Sequence, residues 1–162
     1  MKLKIVGAAV AAIAVSACAS APEEDVNTAP PPRTETGPIP GSVTDFQRTA
    51  GDTVFYDFDS HALTSEARET LRKQAEWLQS YPDVRVRVEG NCDERGTREY
   101  NLALGERRAT AAKDFLVNLG VDPSRIVVVS YGKEKPRDAR SNEAAWAVNR
   151  NAQTVILSGA VG

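Results

Sequence analysis

The sequence has little of what metal and thiol chemistry requires. Its 162 residues include two cysteines, Cys18 and Cys92, and a single histidine, His61. So few ligands and nucleophiles speak against zinc sites and cysteine–histidine catalysis. The formal net charge of -2, with both signs interspersed, provides no basic surface for nucleic acid. The sequence therefore predicts a protein that is not an enzyme, has no catalytic residues, holds no metal or cofactor and has no nucleic-acid partner.

The N-terminal apolar run is too short to cross a membrane. It covers residues 5–17 and is preceded by Lys2 and Lys4. A helix of this length would span about 20 Å, which is less than the ~30 Å hydrocarbon core of a bilayer. A short apolar run behind positive residues is typical of a signal peptide, which is predicted here over residues 1–17.

Residues 15–18, Val-Ser-Ala-Cys, resemble the lipobox of bacterial lipoproteins. The resemblance implies that Cys18 is lipidated and becomes the mature N-terminus, where each buried methylene adds ~0.8 kcal/mol to membrane anchoring. Ala19 follows it, whereas lipoproteins retained in the inner membrane usually have aspartate there, so the outer membrane is implied, with the domain in the periplasm. An ordinary signal peptide with an incidental cysteine is the alternative. With Cys18 lipidated, Cys92 is expected to be a small buried residue.

A proline-rich segment follows. Residues 21–44 contain six of the nine prolines and almost no large apolar side chains. Such a segment cannot bury a core and is expected to be extended. The sequence thus predicts a lipidated N-terminus and tether over residues 18–51 and a folded domain over residues 52–158, which is enough for one modest core.

Hydrophobic periodicity in the domain predicts an α/β fold of order βαβαβαβ, a two-layer sandwich with a mixed sheet and parallel strand pairs. Valines alternate with charged residues over 84–89, so Arg85, Arg87 and Glu89 are expected to face water. The continuous apolar run 126–131 predicts a central strand. The predicted strands cover residues 53–59, 84–89, 126–131 and 154–158, and the predicted helices cover 64–80, 97–119 and 142–150.

One helical position does not fit the apolar pattern of its helix. The predicted apolar stripe consists of Leu104, Arg108, Ala111, Phe115 and Leu119. An arginine directed at a core needs a partner, and Asp93 in the preceding loop is the candidate. Two interpretations remain open. A salt bridge between Asp93 and Arg108 would pin the loop to the helix. Held apart across a cleft, the aspartate would instead bind an ammonium and the arginine a carboxylate of a zwitterionic ligand.

Residues 89–109, Glu-Gly-Asn-Cys-Asp-Glu-Arg-Gly-Thr-Arg-Glu-Tyr-Asn-Leu-Ala-Leu-Gly-Glu-Arg-Arg-Ala, resemble the OmpA-like peptidoglycan-binding domain, in the branch of peptidoglycan-associated lipoproteins. The segments 56–59, 130–136 and 143–150 also resemble this branch, in the right order and at the right spacing. The resemblance covers about residues 52–158 and implies an OmpA-like domain.

In that family the domain binds the diaminopimelate of uncrosslinked stem peptides without forming a covalent bond. Asp93 and Arg108 match the family's aspartate and arginine for this ligand. The resemblance further implies that the pocket is bordered by Phe58, Asp59, Arg95 and Leu104.

The implied partners are peptidoglycan, the outer membrane through the lipid anchor, and TolB with the rest of the Tol–Pal system, in support of envelope integrity and cell division. Two positions depart from the family pattern. Many relatives have histidine where Asn91 stands, and Asn151 replaces the usual second arginine after Arg150. A peptidoglycan hydrolase and a purely structural lipoprotein whose polar loop binds nothing are the competing interpretations.

Overall fold

The computed structural model describes residues 37–162. The predicted signal peptide, Cys18 and most of the predicted tether lie outside the described residues. The helices are α1 (Val43–Thr49), α2 (Ser65–Ser80), α3 (Arg98–Asn118) and α4 (Glu143–Asn149), and the strands are β1 (Thr53–Phe55), β2 (Arg85–Asn91), β3 (Ile126–Gly132) and β4 (Asn151–Ser158). Across residues 37–162, no helix has both the length and the apolar composition needed to cross a membrane.

Polar side chains begin the helices of the domain where the sequence predicts them. Thr64, Thr97 and Asn142 precede α2, α3 and α4, and each side chain accepts a hydrogen bond from the backbone amide three residues later. Such caps satisfy amide groups that have no partner within the helix. The predicted starts of these helices are confirmed.

The four strands form one mixed sheet of order β1-β4-β2-β3. β4 pairs antiparallel with both β1 and β2, and β2 pairs parallel with β3. α2 and α3 cover one face of this sheet, where Leu71, Val88 and Leu116 are among the buried core side chains. This confirms the predicted α/β fold with two layers and a mixed sheet.

β3 lies at an edge of the sheet, so its predicted central position is wrong. Ile126 faces the helices and is buried, whereas the next residue, Val127, is 48% exposed on the outer face. The apolar run 126–131 therefore indicated neither burial on both faces nor the position of the strand in the sheet. The crossover through α3 places β3 beside β2, and β4 then inserts on the other side of β2.

Glu89 is 2% exposed, contrary to the expectation that it faces water. Arg87 donates to its carboxylate through Nε at 2.9 Å and Nη2 at 2.6 Å, and Lys135 donates from a loop at 3.1 Å. Long cationic side chains therefore cover this carboxylate on the outer face of the sheet, and they compensate the cost of burying it.

The buried face of α3 is rotated relative to the predicted stripe. Leu104 and Arg108 are buried as predicted, but Ala111 and Phe115 are only partly buried and Leu119 is exposed. The buried face consists of Asn101, Leu104, Gly105, Arg108, Ala109, Ala112 and Leu116. Several of these side chains are small, which allows the helix to lie close to the sheet.

α1 packs on the domain within a segment that was predicted to be tether. Phe46 is 1% exposed and meets the ring of Trp77 edge to face, with the ring centroids 4.9 Å apart. The carboxylate of Asp45 accepts hydrogen bonds from Trp77 Nε1 and the Gly41 amide, both at 2.9 Å. The predicted start of the domain at residue 52 is therefore wrong, because the folded part already includes α1.

Candidate functional site

A pocket of about 200 Å³ lies between the end of β2, the loop 92–97 and the first half of α3. The loop that follows β1 closes one side. The lining residues are Phe58, Asp59, Cys92, Asp93, Arg95, Gly96, Tyr100, Asn101, Leu104 and Arg108. All six pocket residues predicted from the sequence are therefore brought together, and their role in binding a ligand stays a prediction.

Backbone contacts hold the loop 92–97 against its neighbours. The Cys92 amide donates to the carbonyl of Gly132 at 2.7 Å, which extends the pairing of β2 with β3. Gly96 has φ +92°, a left-handed conformation that glycine adopts without strain. At the end of the loop, Asn101 Nδ2 donates to the carbonyl of Arg95 at 2.7 Å. A turn between a strand end and a helix start thus presents Asp93 and Arg95 to the pocket.

Arg108 is 1% exposed and is held by backbone carbonyl groups. Its guanidinium donates to the carbonyl oxygens of Ser60 at 2.8 Å, Asn91 at 2.9 Å and Asp57 at 3.1 Å. Burial lowers the pKa of this guanidinium, but an arginine remains charged at neutral pH. Of the two interpretations left open by the sequence, the salt bridge to Asp93 is wrong, because Arg108 donates to carbonyl groups and not to Asp93.

Asp93 has cationic partners of its own. Its Oδ1 accepts from the Arg95 amide at 3.1 Å and from Arg95 Nε at 3.2 Å, and its Oδ2 accepts from Arg95 Nη2 at 2.6 Å and Arg150 Nη1 at 3.3 Å. Burial acts to raise the pKa of Asp93, but the hydrogen bonds from Arg95 and Arg150 outweigh it and hold the pKa below its ordinary value. Asp93 is therefore an ionised carboxylate in a fixed orientation.

The guanidinium of Arg95 lies between two aromatic rings. Its central carbon is 4.1 Å from the centroid of Phe58 and 4.2 Å from that of Trp146. A cation over an aromatic face is attracted by the negative charge density of the ring. Phe58 is otherwise exposed, so this stack gives the pocket an apolar edge that depends on Arg95.

Asp59 and Tyr100 form a second polar contact at the pocket. The hydroxyl of Tyr100 donates to the Asp59 carboxylate. Asp59 has φ +52°, a conformation that residues other than glycine adopt rarely. The sequence did not indicate Tyr100 or Asn101 as lining residues. Asn101 lies one turn of helix before Leu104 and two before Arg108, so helical spacing is the signal that was available for it.

Cys92 is buried, as expected, and its thiol donates to the carbonyl of Asn101 at 3.3 Å. Burial raises the pKa of this thiol, which opposes formation of the thiolate that a nucleophile would need. In residues 37–162 no cluster of three or more His, Cys, Asp or Glu side chains is arranged to hold a metal ion.

The two positions that depart from the family pattern contact each other. Asn91 Nδ2 donates to Asn151 Oδ1 at 3.0 Å, and both side chains are buried. Asn151 Nδ2 in turn donates to the carbonyl of Val148 at 2.8 Å. Asn151 therefore links the end of β2 to the start of β4 and the end of α4, and Arg150 alone supplies a guanidinium from this segment to Asp93.

Comparisons with known proteins identify the class of domain that has this mixed sheet, this crossover helix and this pocket. The sequence model of the OmpA family matches residues 55–150, and the chain belongs to this family. This confirms the family predicted from the sequence, and the prediction that the chain is not an enzyme agrees with it.

Two curated relatives show which members of this family the chain resembles in sequence. The chain is 51% identical over 117 residues to a peptidoglycan-associated lipoprotein of Agrobacterium fabrum, a match that covers 72% of this chain and 66% of that protein. It is 52% identical over 121 residues to the protein of the same name from Mesorhizobium japonicum, covering 75% of this chain and 71% of that protein. The chain thus spans about two thirds of the length of the curated relatives it matches.

Solved structures share the fold. The crystal structure of the peptidoglycan-associated lipoprotein from Burkholderia pseudomallei matches with a TM-score of 0.66 and 41% identity, covering 68% of this chain and 96% of that chain. The C-terminal domain of Helicobacter pylori MotB matches with a TM-score of 0.62, covering 66% of this chain and 84% of that chain. At 20% identity, the second likeness shows the fold alone.

Proposed function

We propose that this chain is a lipid-anchored protein of the outer membrane that binds peptidoglycan non-covalently, through the diaminopimelate of its stem peptides. The observation that carries the proposal is the separation of two charges. Asp93 and Arg108 line one small pocket, but each has its own protein partners and they do not pair with each other. An amino-acid centre carries an ammonium and a carboxylate on one carbon, so it offers a complement to both charges.

The guanidinium of Arg108 keeps donors for such a ligand. It has five N–H groups, of which three donate to the carbonyl groups of Asp57, Ser60 and Asn91. Two N–H groups remain for an incoming carboxylate. The carbonyl groups do not neutralise the positive charge, so a ligand anion meets the charge of a guanidinium that is only 1% exposed.

Asp93 presents a different situation. A carboxylate has about four acceptor positions, and Arg95 and Arg150 already donate four hydrogen bonds to Asp93. A ligand ammonium must share an oxygen atom with these donors or displace one of them. Asp59, whose carboxylate accepts from Tyr100, supplies further acceptor positions in the same pocket.

Calorimetry with two stem peptides tests the proposal. One peptide contains diaminopimelate, and the matched peptide has lysine at that position, which keeps the side-chain ammonium but lacks the terminal carboxylate. We expect the lysine peptide to bind at least about tenfold more weakly, since it leaves Arg108 without its ligand. Asp93→Asn and Arg108→Lys are expected to weaken binding of the diaminopimelate peptide by more than about thirtyfold. Equal binding of the two peptides would contradict the proposal.

The anchor and the protein partners are part of the same proposal. It is supported by the lipobox resemblance and by the relatives, which are named peptidoglycan-associated lipoproteins. Mass spectrometry of the membrane-extracted protein should find acylated Cys18, and Cys18→Ala should move the protein out of the membrane fraction. TolB of the Tol–Pal system is the proposed protein partner, which links the anchored domain to envelope integrity and cell division. TolB and a stem peptide are expected to exclude each other, and simultaneous binding with unchanged affinities would contradict this.

A further inference from the structure

Two side chains of α4 contact the pocket residue Arg95 without lining the pocket themselves. Trp146 stacks on Arg95, with 4.2 Å between its ring centroid and the central guanidinium carbon. Glu143 Oε2 lies 3.8 Å from Arg95 Nη1. Neither Trp146 nor Glu143 is among the residues that surround the cavity. The helix that leads into β4 thus touches the one arginine that holds Asp93 by three hydrogen bonds.

Two arginines and two carboxylates form a closed ring in which positive and negative charges alternate. Its members are Asp93, Arg95, Glu143 and Arg150. Arg95 joins Asp93 to Glu143 on one side. Arg150 joins the same two carboxylates on the other side, at 3.3 Å to Asp93 and 3.0 Å to Glu143. Each carboxylate therefore lies between two guanidinium groups. Such a ring restricts the geometry of every member more than a single pair does, because moving one side chain breaks two contacts.

Trp146 makes a second contact with the loop 92–97. Its Nε1 donates to the carboxylate of Glu94 at 2.9 Å. The ring therefore contacts Arg95 through its face and Glu94 through its edge. The loop contains neither helix nor strand, so few backbone hydrogen bonds fix its conformation. The contacts from α4 help to hold it in place.

We propose that Glu143 and Trp146 are positioning residues for ligand recognition. Trp146 fixes Arg95, Glu143 holds both Arg150 and Arg95, and the two arginines set the orientation of the Asp93 carboxylate. This inference rests on the proposed function of the pocket. It gives α4 a role in ligand binding, although no residue of this helix lines the pocket. Neither side chain lines the pocket, so their contribution to binding is made through Arg95 and Arg150.

The first experiment measures the affinity of the diaminopimelate peptide for four variants. Glu143→Gln removes one charge from an exposed side chain, and Trp146→Leu removes both the stack and the hydrogen bond to Glu94. We expect each to weaken binding about three- to tenfold. Trp146→Phe keeps an aromatic face and should recover most of the affinity. Glu134→Gln is the matched control, because Glu134 is also exposed and pairs with an arginine outside the pocket, Arg98, at 3.1 Å, and it should bind as the unaltered chain does.

The second experiment separates positioning from general stability. Trp146→Leu is repeated in a chain that already carries Arg95→Ala. If Trp146 acts through Arg95, the second substitution should cost little further affinity, whereas a purely structural role would cost the same in both backgrounds. Unchanged affinity of Glu143→Gln and Trp146→Leu, with the unaltered chain binding the peptide, would overturn the inference and leave the proposed function intact. Failure of the unaltered chain to bind would instead overturn the proposed function.

Discussion

The guanidinium of Arg108 is held by carbonyl dipoles and not by a counter-charge. Its acceptors belong to the loop after β1, at Asp57 and Ser60, and to the end of β2, at Asn91. Dipoles satisfy the N–H groups of a buried arginine without neutralising it. A direct bond to Asp93 would have cancelled the positive charge that the carboxylate of a zwitterionic ligand requires. The arrangement therefore suits a binding site better than a salt bridge between Asp93 and Arg108 would.

The same contacts make Arg108 important for stability. Arg108→Ala would remove a buried guanidinium together with its hydrogen bonds to three carbonyl groups. We expect it to lower the free energy of unfolding by about 3 kcal/mol or more. Urea unfolding followed by circular dichroism measures this loss. Arg107→Ala removes the exposed neighbouring arginine and serves as the control, with an expected change within about 0.5 kcal/mol. Equal stability of the two variants would show that the carbonyl contacts contribute little.

Asp93 should make stability depend on pH. Its pKa is lower in the folded protein than the ordinary value of about 3.9, because Arg95 and Arg150 favour the ionised form. A group with a lowered pKa stabilises the fold at pH values above its unfolded pKa, and this contribution is lost as the pH falls through the folded pKa. Asp93→Asn should therefore be less stable by about 2 kcal/mol at pH 7, with the difference narrowing below about pH 4. Chemical unfolding of both proteins between pH 7 and pH 3 tests this, and a constant difference would contradict it.

Among the elements, the contact between β2 and α3 positions both halves of the pocket. A Cβ atom on Gly90 of β2 would overlap the carbonyl of Gly105 in α3, and a Cβ on Gly105 would lie 2.9 Å from the Gly90 carbonyl oxygen. The backbones thus approach more closely than any side chain permits. Asp93 follows β2 by two residues and Arg108 follows Gly105 by three. The distance between the two charges is therefore set by a pair of glycines.

Gly90→Ala is expected to separate the two elements. The added methyl group has no space, and we expect a loss of about 3 kcal/mol in the free energy of unfolding. Binding of the diaminopimelate peptide should weaken as well, since Asp93 and Arg108 move apart. Gly37→Ala is the control, because nothing lies within 4 Å of a Cβ at that position. Thermal unfolding and calorimetry measure the two effects, and a Gly90→Ala protein that matches the control in both would refute this account.

Features with local causes could be predicted from the sequence, and features with distant causes could not. The caps Thr64, Thr97 and Asn142 depend only on the residues that follow them, and each begins a helix as expected. The acceptors of Arg108 could not be found from spacing, because Ser60 lies 48 positions away. The pocket residues themselves were predicted through the family resemblance, since periodicity alone left the salt bridge open.

The edge position of β3 and the rotation of α3 have the same kind of explanation. Both depend on which backbone segments come close in space, as at the contact between Gly90 and Gly105. Hydrophobic periodicity records how much of a segment is buried, and it does not record against which partner. Small residues at Gly105 and Ala109 bring α3 to the sheet along a face that a count of large apolar residues does not reveal.

At the scale of the molecule, the chain enters the domain at the end opposite the pocket. Ser42 forms a bridge with Val161, and the Val161 amide donates to the Gly41 carbonyl at 3.0 Å. The nearby start of β2, Arg85, pairs with Ser158 in β4, while the pocket lies beyond the other end of β2. A strand of this length spans about 20 Å. The entry of the N-terminal segment into the domain and the pocket are therefore separated by about the length of one strand.

The helix α1 at this entry should contribute measurably to stability. We expect a chain of residues 52–162 to be less stable than one of residues 37–162 by about 3 kcal/mol, because it lacks the buried Phe46 ring and its contact with Trp77. For a domain of this size the melting temperature should fall by roughly 10–20 °C. Phe46→Ala in the longer chain isolates the ring and should account for most of the loss. The folded short chain should still bind the diaminopimelate peptide with unchanged affinity, since the pocket lies at the far end of β2. Equal melting temperatures would mean that α1 is only loosely attached, and weaker binding by the folded short chain would mean that the two ends of the domain are coupled.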